Sequence, residues 1–273
     1  MHYAIEVVPF GDYANPRNVV PLAQAAEAAG WEGIFVWDHL AFAWGMPAGD
    51  PWVILAAVAQ ATERLKLATF VTPRPRRRPQ VLANTLATLD LLSQGRVIFC
   101  AGLGGLPQEF AAFGEDDDAK TRAARLDEGL EIVSSLLAGE TVTHRGPHYT
   151  VDNVSLALLP VQRPRLPIWI GGDSPAALRR AARWDGWAAA GTDEHCGQTK
   201  SPERLAEQLA IIRQHRASNA LFDVTMDGCT TPADGALVRE FADAGATWWL
   251  EPLYGLRGSM EEMLARVKAG PPA

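Results

Sequence analysis

Residues 65–104 have a strand–helix–strand pattern that indicates a parallel α/β fold. The stretches "LKLATFVTP" (65–73) and "RVIFCAGLG" (96–104) are nearly continuous apolar runs, which is typical of strands buried on both faces of a parallel sheet. Between them, "PQVLANTLATLDLLSQG" (79–95) has the apolar spacing of a helix and closes at Gly95, a residue type that commonly follows helix C-termini. The helix therefore returns the chain to begin a second parallel strand.

The same unit recurs along the chain on both sides of this stretch. The expected strands lie within residues 4–10, 31–40, 65–73, 96–104, 166–172, 186–191, 223–230 and 247–254. Eight strand–helix pairs predict an α/β protein with a closed (β/α)8 TIM barrel, and an open doubly wound sheet is the structural alternative. Residues 140–165 fit neither element and are expected to form an excursion between the fourth helix and the fifth strand. No stretch resembles a linker, so residues 1–273 are predicted to form a single domain.

Composition narrows the class of protein. The 273 residues are 48% hydrophobic and 21% charged, which fits a soluble globular protein. The formal net charge of −7 argues against nucleic acid as a partner, because such binding needs a basic face. No apolar run approaches the roughly 18 to 20 residues of a membrane span, and the first residues show no signal peptide. A cytoplasmic location is the expectation.

The three cysteines are Cys100, Cys196 and Cys229. Their odd number and wide spacing match no metal-binding pattern, so no metal site is predicted. Reduced thiols are the expected state, as is usual for a cytoplasmic protein.

In barrels of this kind, functional sites form from the loops that follow the carboxyl ends of the strands. One such junction is "LPIWIGGDSP" (166–175), in which Gly171 and Gly172 are followed by Ser174, a potential helix N-cap. Backbone N–H groups at a helix start favour an anion, and glycines let the backbone approach it closely. A phosphate site and a plain tight turn are equally consistent with these residues.

A second junction is "WDHL" (37–40), which places Asp38 and His39 at the end of the second strand. Histidine exchanges protons near neutral pH, and neighbouring side chains on a strand point to opposite faces, so one of the two should face the barrel mouth. A structural histidine is the alternative. Nearby aromatic residues are expected to wall a substrate pocket; they are Trp37, Phe42, Trp44 and Trp52.

Two further strand ends have weaker signals. The four arginines of "FVTPRPRRRPQ" (70–80) either attract an anion or form a solvated loop. The glycines of "CAGLGG" (100–105) either let a flat ring lie against the backbone or form a turn. Neither contains a dinucleotide-binding, phosphate-loop, nucleophile-elbow or zinc-helix motif.

Four ordered blocks together resemble the bacterial luciferase-like monooxygenase family. The blocks are "AEAAGWEGIFVWDHL" (26–40), "DPWVILAAVAQATERLKLATFVTP" (50–73), "RRPQVLANTLATLDLLSQGRVIFCAGLG" (77–104) and "LPIWIGGDSPAALRRAARWDGW" (166–187). Members of that family are (β/α)8 barrels that hold reduced FMN, or the deazaflavin coenzyme F-420, in the barrel mouth. The resemblance is strong over residues 15–190 and looser beyond.

The resemblance also implies roles for particular residues. His39 matches a histidine that moves a proton near the reactive face of the ring. The pair Phe70 and Val71 matches a non-proline cis peptide that supports the ring. Further cofactor-binding positions are implied for Gly102 and Leu103, along the ring or ribityl chain, and for Gly171, Gly172 and Ser174, at the phosphate. Arg78 matches a structural position at the start of the third helix.

The activity implied is a flavin-dependent monooxygenase that uses reduced FMN and oxygen on a small organic substrate. A deazaflavin (coenzyme F-420)-dependent reductase or dehydrogenase is the first alternative, and a non-catalytic flavin-binding barrel is the second. The expected partners are the small-molecule substrate and a separate flavin or deazaflavin reductase, and a homodimer is the alternative to a monomer. Nucleic acid and membranes are not expected. The compact segment "TDEHCGQTKSPE" (192–203) suggests an open substrate pocket.

Overall fold

Eight parallel strands close into a barrel in the computed structural model, which describes residues 1–40 and 45–273. In chain order the strands are β1 (His2–Val7), β2 (Gly33–Val36), β3 (Lys66–Thr69), β4 (Val97–Gly102), β5 (Ile168–Gly171), β6 (Gly186–Ala188), β7 (Asp223–Asp227) and β8 (Trp248–Leu253). Each strand pairs with its sequence neighbour, and β8 pairs with β1 to close the ring. The predicted (β/α)8 barrel is confirmed, and the open sheet is excluded.

A helix follows every strand. The helices are α1 (Pro16–Ala28), α2 (Pro51–Ala61), α3 (Pro79–Leu92), α4 (Ala119–Leu137), α5 (Pro175–Ala181), α6 (Pro202–His215), α7 (Gly235–Asp243) and α8 (Met260–Lys268). Five of them begin with proline, whose missing N–H costs nothing in the first turn. Side-chain caps such as Asp50 before α2 and Ser259 before α8 satisfy the free N–H groups at the helix starts.

Two apolar layers hold the barrel together. The larger layer lies between strands and helices, and β4 is buried along its whole length, as its continuous apolar sequence predicts. The smaller layer fills the barrel interior with inward-facing side chains such as Ala4, Phe35, Trp169 and Leu250. This packed interior leaves the carboxyl ends of the strands as the place where a ligand cavity can form.

The excursion predicted at residues 140–165 is present between α4 and β5. It contains an antiparallel hairpin whose strands are Val142–Arg145 and Thr150–Val154. A two-residue strand, Thr72–Pro73, pairs with the end of β4. A one-turn helix, Gln108–Ala111, and 3-10 helices at Gly11–Ala14 and Arg74–Arg76 complete the regular structure of the described residues. None of the helices described is both long enough and apolar enough to cross a lipid bilayer.

The cysteine prediction is wrong for two of the three residues. Cys196 and Cys229 form a disulfide, with their Cα atoms 5.5 Å apart, whereas Cys100 is a buried free thiol in β4. The two bonded cysteines are 33 residues apart in sequence. They meet because β6 and β7 are neighbours in the barrel, so the loops that follow them lie side by side.

Candidate functional site

A cavity of about 290 Å³ opens at the carboxyl ends of the strands. It brings together His39, Phe70, Val71, Gly171 and Gly172, which are distant in sequence and were expected at one site. Trp37 also lines it, as expected for a pocket wall. The remaining lining residues of the described chain are Glu6, Pro73, Gly104, Gly105, Asp173, Ala188, Ala190, Thr192 and Asp227.

Glu109, on the one-turn helix after β4, holds His39 in place. Its Oε1 atom lies 3.1 Å from His39 Nδ1 and also accepts a hydrogen bond from the backbone N–H of Leu40 at 2.6 Å. Burial alone would raise the pKa of Glu109, but the hydrogen bonds from His39 and Leu40 and the charge of Arg76 hold that pKa below its usual value. Glu109 is thus an anion that accepts the Nδ1 proton of His39, which leaves Nε2 for a ligand.

Asp38 faces away from the cavity, as the alternation argument requires. Its carboxylate is 2% exposed and accepts hydrogen bonds from Arg76 at 2.7 Å and Arg77 at 3.1 Å. Arg76 also forms an ion pair with Glu109, so it links the carboxylate of Asp38 to the carboxylate that holds His39. Arg76 and Arg77 are therefore structural partners of acidic side chains. They form neither the anion-attracting site nor the solvated loop that were the two predictions for this segment.

The peptide bond between Phe70 and Val71 is cis, as the resemblance predicts. Val71 fits between two glycines: a Cβ on Gly102 would lie 2.5 Å from Val71 Cγ2, and one on Gly171 would lie 2.9 Å from Val71 Cγ1. Gly102 therefore supports Val71 from behind and does not line the cavity. Leu103 packs against the outer core, and the glycines that line the cavity are Gly104 and Gly105.

The turn at residues 171–174 has the features expected of a close backbone approach. Gly172 has a φ of +106°, which favours glycine, and its carbonyl accepts a hydrogen bond from Trp187 Nε1. Ser174 does not line the cavity but caps α5, because its hydroxyl accepts the N–H of Ala177 at 3.2 Å. Asp173 is paired with Lys200, whose Nζ lies 2.9 Å from its Oδ1, so a cation stands beside this turn.

Several predicted residues lie elsewhere. Trp52 belongs to the outer core, where its ring packs near Phe99, because α2 turns its apolar face to the sheet. Trp44 lies outside the described residues. Arg74 is fully buried, with its guanidinium over the ring of Tyr149, and Arg78 is exposed beside a separate surface cavity.

Two buried carboxyl groups of the mouth, Glu6 and Asp227, were missed. Glu6 is on β1 and Asp227 ends β7, so they flank β8 and face the same cavity. Burial and the nearby Asp227 raise the pKa of Glu6 well above its usual value, although a hydrogen bond from Trp37 opposes the shift. Burial likewise raises the pKa of Asp227 to about 6, against hydrogen bonds that include the backbone N–H of Gly191.

A sequence signal for these acids exists. Glu6 interrupts the apolar run "AIEVVPF" and Asp227 stands at the end of "DVTMDG", so both are charged residues at the carboxyl ends of expected strands. The same rule that selected His39 selects them. No comparable signal marks Glu109 or Lys200, which reach the site only through loop geometry.

Comparison with known proteins agrees with the barrel fold. A family model described as "luciferase-like monooxygenase" matches residues 3–254. The Mycobacterium tuberculosis protein Rv0940c is 30% identical over 249 residues, which cover 84% of this chain and 82% of the relative. The F420-dependent glucose-6-phosphate dehydrogenase of Microbacterium testaceum is 35% identical over 201 residues, which cover 71% of this chain and 56% of the relative.

Solved structures share the fold over nearly the full chain. Monooxygenase RslO1 from Streptomyces bottropensis has a TM-score of 0.80 at 22% identity, covering 98% of this chain and 97% of that one. An F420-dependent secondary alcohol dehydrogenase, solved with an F420-acetone adduct, has a TM-score of 0.80 at 18% identity with the same coverage. At these identities the likeness concerns the fold.

Proposed function

The chain belongs to the luciferase-like monooxygenase family of oxidoreductases, and we propose that it is a deazaflavin (F420)-dependent oxidoreductase that uses the cavity at the barrel mouth. The observation that carries this proposal is the position of His39, fixed by Glu109 and facing the cavity beside Phe70 and Val71. The 35% identity to a relative named as an F420-dependent dehydrogenase supports the choice of cofactor.

The residues of the mouth fit such a cofactor. Gly104 and Gly105 line the cavity without side chains, and a Cβ on Gly105 would meet nothing within 4 Å, so a flat ring can lie against this backbone. Val71 would support the ring from the opposite direction. The turn from Gly171 to Ser174 would hold the phosphate through backbone N–H groups, with Lys200 adding positive charge beside it.

His39 supplies the acid–base chemistry in this proposal. A bound deazaflavin provides hydride transfer. Because Nδ1 of His39 donates to Glu109, Nε2 is free to take the proton from a substrate hydroxyl as its carbon is oxidised, or to return it in the reverse direction. The buried anion Glu109 stabilises the protonated imidazole that results, and it fixes the direction of the ring.

A second candidate is a monooxygenase that uses reduced FMN and oxygen, and the description of the matching family favours it. It would use the same ring and phosphate positions and would need a separate reductase as partner. A barrel that binds the cofactor without turnover is the third candidate, and only a kinetic measurement separates it from the other two.

Cofactor titration followed by absorbance tests the proposal. We expect the protein to bind F420 more tightly than FMN, and to change the absorbance of F420 when a panel of small alcohols and amines is supplied. Tighter binding of FMN with oxygen-dependent turnover would establish the second candidate. Binding of either cofactor with no turnover of any substrate would point to the third.

The phosphate position has its own variant test. Gly172→Val should weaken binding of the phosphorylated cofactor, because a branched side chain at a φ of +106° is strained and blocks the backbone approach. Binding of the dephosphorylated ring system should weaken much less. Gly114→Val is the matched control, because Gly114 also has a positive φ, +72°, and a Cβ there would meet nothing within 4 Å. Equal losses of affinity for both ligands would show that the phosphate binds elsewhere.

A further inference from the structure

A side pocket of about 140 Å³ adjoins the cavity at the mouth and shares Glu6, Trp37, Thr192 and Asp227 with it. Four of the residues that line this side pocket are acidic and two are aromatic: Glu6, Asp193, Glu194, Asp227, Trp37 and Tyr254. No lysine, arginine or histidine lines it in the part of the chain that the structure describes. Its chemistry is therefore that of a receptor for positive charge.

Glu6 provides the evidence that the side pocket is made for a ligand. This residue is 1% exposed, and Trp37 donates a hydrogen bond to its Oε1 atom. Its Oε2 atom is buried with no hydrogen-bond partner among the described residues. A buried carboxyl oxygen without a partner is costly, and a ligand that donates an N–H or O–H to it removes that cost.

Asp227 makes a cationic ligand preferable to a neutral one. Its Oδ1 atom accepts the N–H of Gly191 at 2.6 Å, and it is 4% exposed. Two carboxyl groups buried in one cavity cannot both ionise without a positive charge close by. The charge of Lys200 lowers the pKa of Asp227 and so opposes the effect of burial. The ammonium group of Lys200 pairs with Asp173, however, and Lys200 does not line the side pocket.

The aromatic residues complete the arrangement. Trp37 and Tyr254 line the side pocket, and aromatic side chains attract organic cations. Carboxylates and aromatic rings around a small cavity are the combination that recognises an alkylammonium group.

We propose that the side pocket binds the protonated amino group of the substrate through Glu6 and Asp227, and that the substrate is therefore a small amine-bearing molecule. This inference rests on the proposed function, because it names the substrate class of the same mouth. Trp37 lines the side pocket, and its ring centroid is 5.5 Å from that of His39. A substrate held by its ammonium group thus extends towards the acid–base residue.

The raised pKa values of both acids add a proton-linked signature. A bound cation favours the ionised carboxylates, so binding releases protons, and the affinity rises with pH while the ligand stays protonated. The titratable and charged groups around the pair are Lys200, Asp173, Asp193, Glu194, Tyr254 and His39.

Calorimetric titration of the full-length protein, with and without bound cofactor, tests the proposal. The probes are n-propylammonium, its neutral isostere n-propanol and its anionic counterpart propionate. We expect n-propylammonium to bind at least about 10-fold more tightly than n-propanol, the factor that one charge-assisted hydrogen bond supplies, and propionate not to bind. Repeating the titration in buffers of different ionisation enthalpy should reveal proton release.

Two variants assign the effect to the buried acids. Glu6→Gln and Asp227→Asn keep the side-chain shape and should each weaken n-propylammonium binding about 10- to 100-fold. The control Asp117→Asn removes an exposed acid that lines neither cavity, and it should change n-propylammonium binding less than about 3-fold. Circular dichroism and thermal unfolding confirm that each variant is folded.

Equal binding of n-propanol and n-propylammonium, or undiminished binding to folded Glu6→Gln, would overturn the proposal. So would the absence of any n-propylammonium binding. Cofactor binding is followed separately by absorbance, so its failure is a failure of the proposed function and leaves the ammonium result readable. Ammonium binding without cofactor binding would support the side pocket and reject the proposed function.

Discussion

Glu109 Oε1 lies 3.1 Å from Nδ1 of His39 and 2.6 Å from the backbone nitrogen of Leu40, so one buried carboxylate fixes both the ring of His39 and the loop that carries it. Glu109 and His39 are 70 positions apart in sequence. This relationship makes His39 a directed acid–base group in the barrel mouth, with Nε2 available to a ligand.

His39→Ala should abolish most of the turnover and leave cofactor binding intact. A positioned general acid–base group typically contributes about 10² to 10⁴ to the rate. The His39 side chain is partly exposed and lies outside the apolar core clusters, so the variant should fold. Steady-state turnover and absorbance titration of the cofactor are the measurements. His215→Ala, on the exposed side of α6, is the control and should have full activity. Unchanged turnover in His39→Ala would reject the acid–base role.

Glu109→Gln tests the positioning of His39. The amide keeps the shape of the side chain but removes the charge that stabilises a protonated imidazole. We therefore expect kcat to fall about 10-fold, which corresponds to the lower part of the free-energy range for charged hydrogen bonds. The cofactor affinity should not change. Ring nitrogen NMR signals of His39 should show the Nδ1–H tautomer in the parent protein and a tautomer mixture in the variant. A purely structural role for Glu109 would leave the tautomer unchanged.

Gly102→Ala should destabilise the protein through Val71. The added methyl would approach Val71 Cγ2 to 2.5 Å, and such overpacking typically costs about 1 to 3 kcal/mol of unfolding free energy. Adding Val71→Ala to the same chain should recover a large part of that loss, since it removes the clashing methyl group. Denaturant unfolding gives both values. Gly105→Ala has open space and should stay within about 0.5 kcal/mol of the parent.

The disulfide should stabilise the loops above the side pocket. Replacing both bonded cysteines, as Cys196→Ala with Cys229→Ala, should lower the unfolding free energy by about 2 to 4 kcal/mol, because the bond closes a long loop of the unfolded chain. Thermal unfolding measures the change. Thiol alkylation of the unfolded, unreduced protein should modify Cys100 alone; modification of all three cysteines would show that the bond does not form.

The stability of the protein should depend on the ionisation of Asp227. Its pKa is raised to about 6 in the folded state, so the stability that its protonated form contributes is fully present below the unfolded pKa and is lost as the pH rises through 6. A shift of about two units corresponds to at most roughly 3 kcal/mol. Asp227→Asn should therefore gain stability relative to the parent between pH 4 and 8. Parallel curves for the two proteins would contradict this, as would the same gain in the exposed control Asp117→Asn.

The sequence predicted the barrel because each unit carries its own signal. The apolar run of β4, the proline and apolar spacing of α3 and the glycine that follows are local features, and local features can be recognised without knowing the partners. The rule that barrel sites lie at the carboxyl ends of strands then selected His39 and the turn at Gly171 and Gly172, all of which line the cavity.

The same reasoning failed where a side chain's surroundings come from distant segments. Trp52 was expected in the pocket because it is aromatic and near His39 in sequence, but the direction of α2 places it in the outer core. The resemblance implied Gly102 and Leu103 as cofactor-binding positions, whereas the glycines of this segment that line the cavity are Gly104 and Gly105. A shift of one or two residues decides which side chain faces a ligand, and loop geometry sets that shift.

The order of strands and helices, the barrel and the strand ends that could carry chemistry follow from the amino-acid sequence, because hydrophobic periodicity and helix caps act over neighbouring residues. The tertiary structure alone decided that Glu109 reaches His39, that Cys196 meets Cys229, and that Glu6 and Asp227 share one cavity. Each of these pairs depends on which strands are adjacent when the sheet closes. Closure brings together residues from separate units, and their charges and hydrogen bonds then set the chemistry of the site.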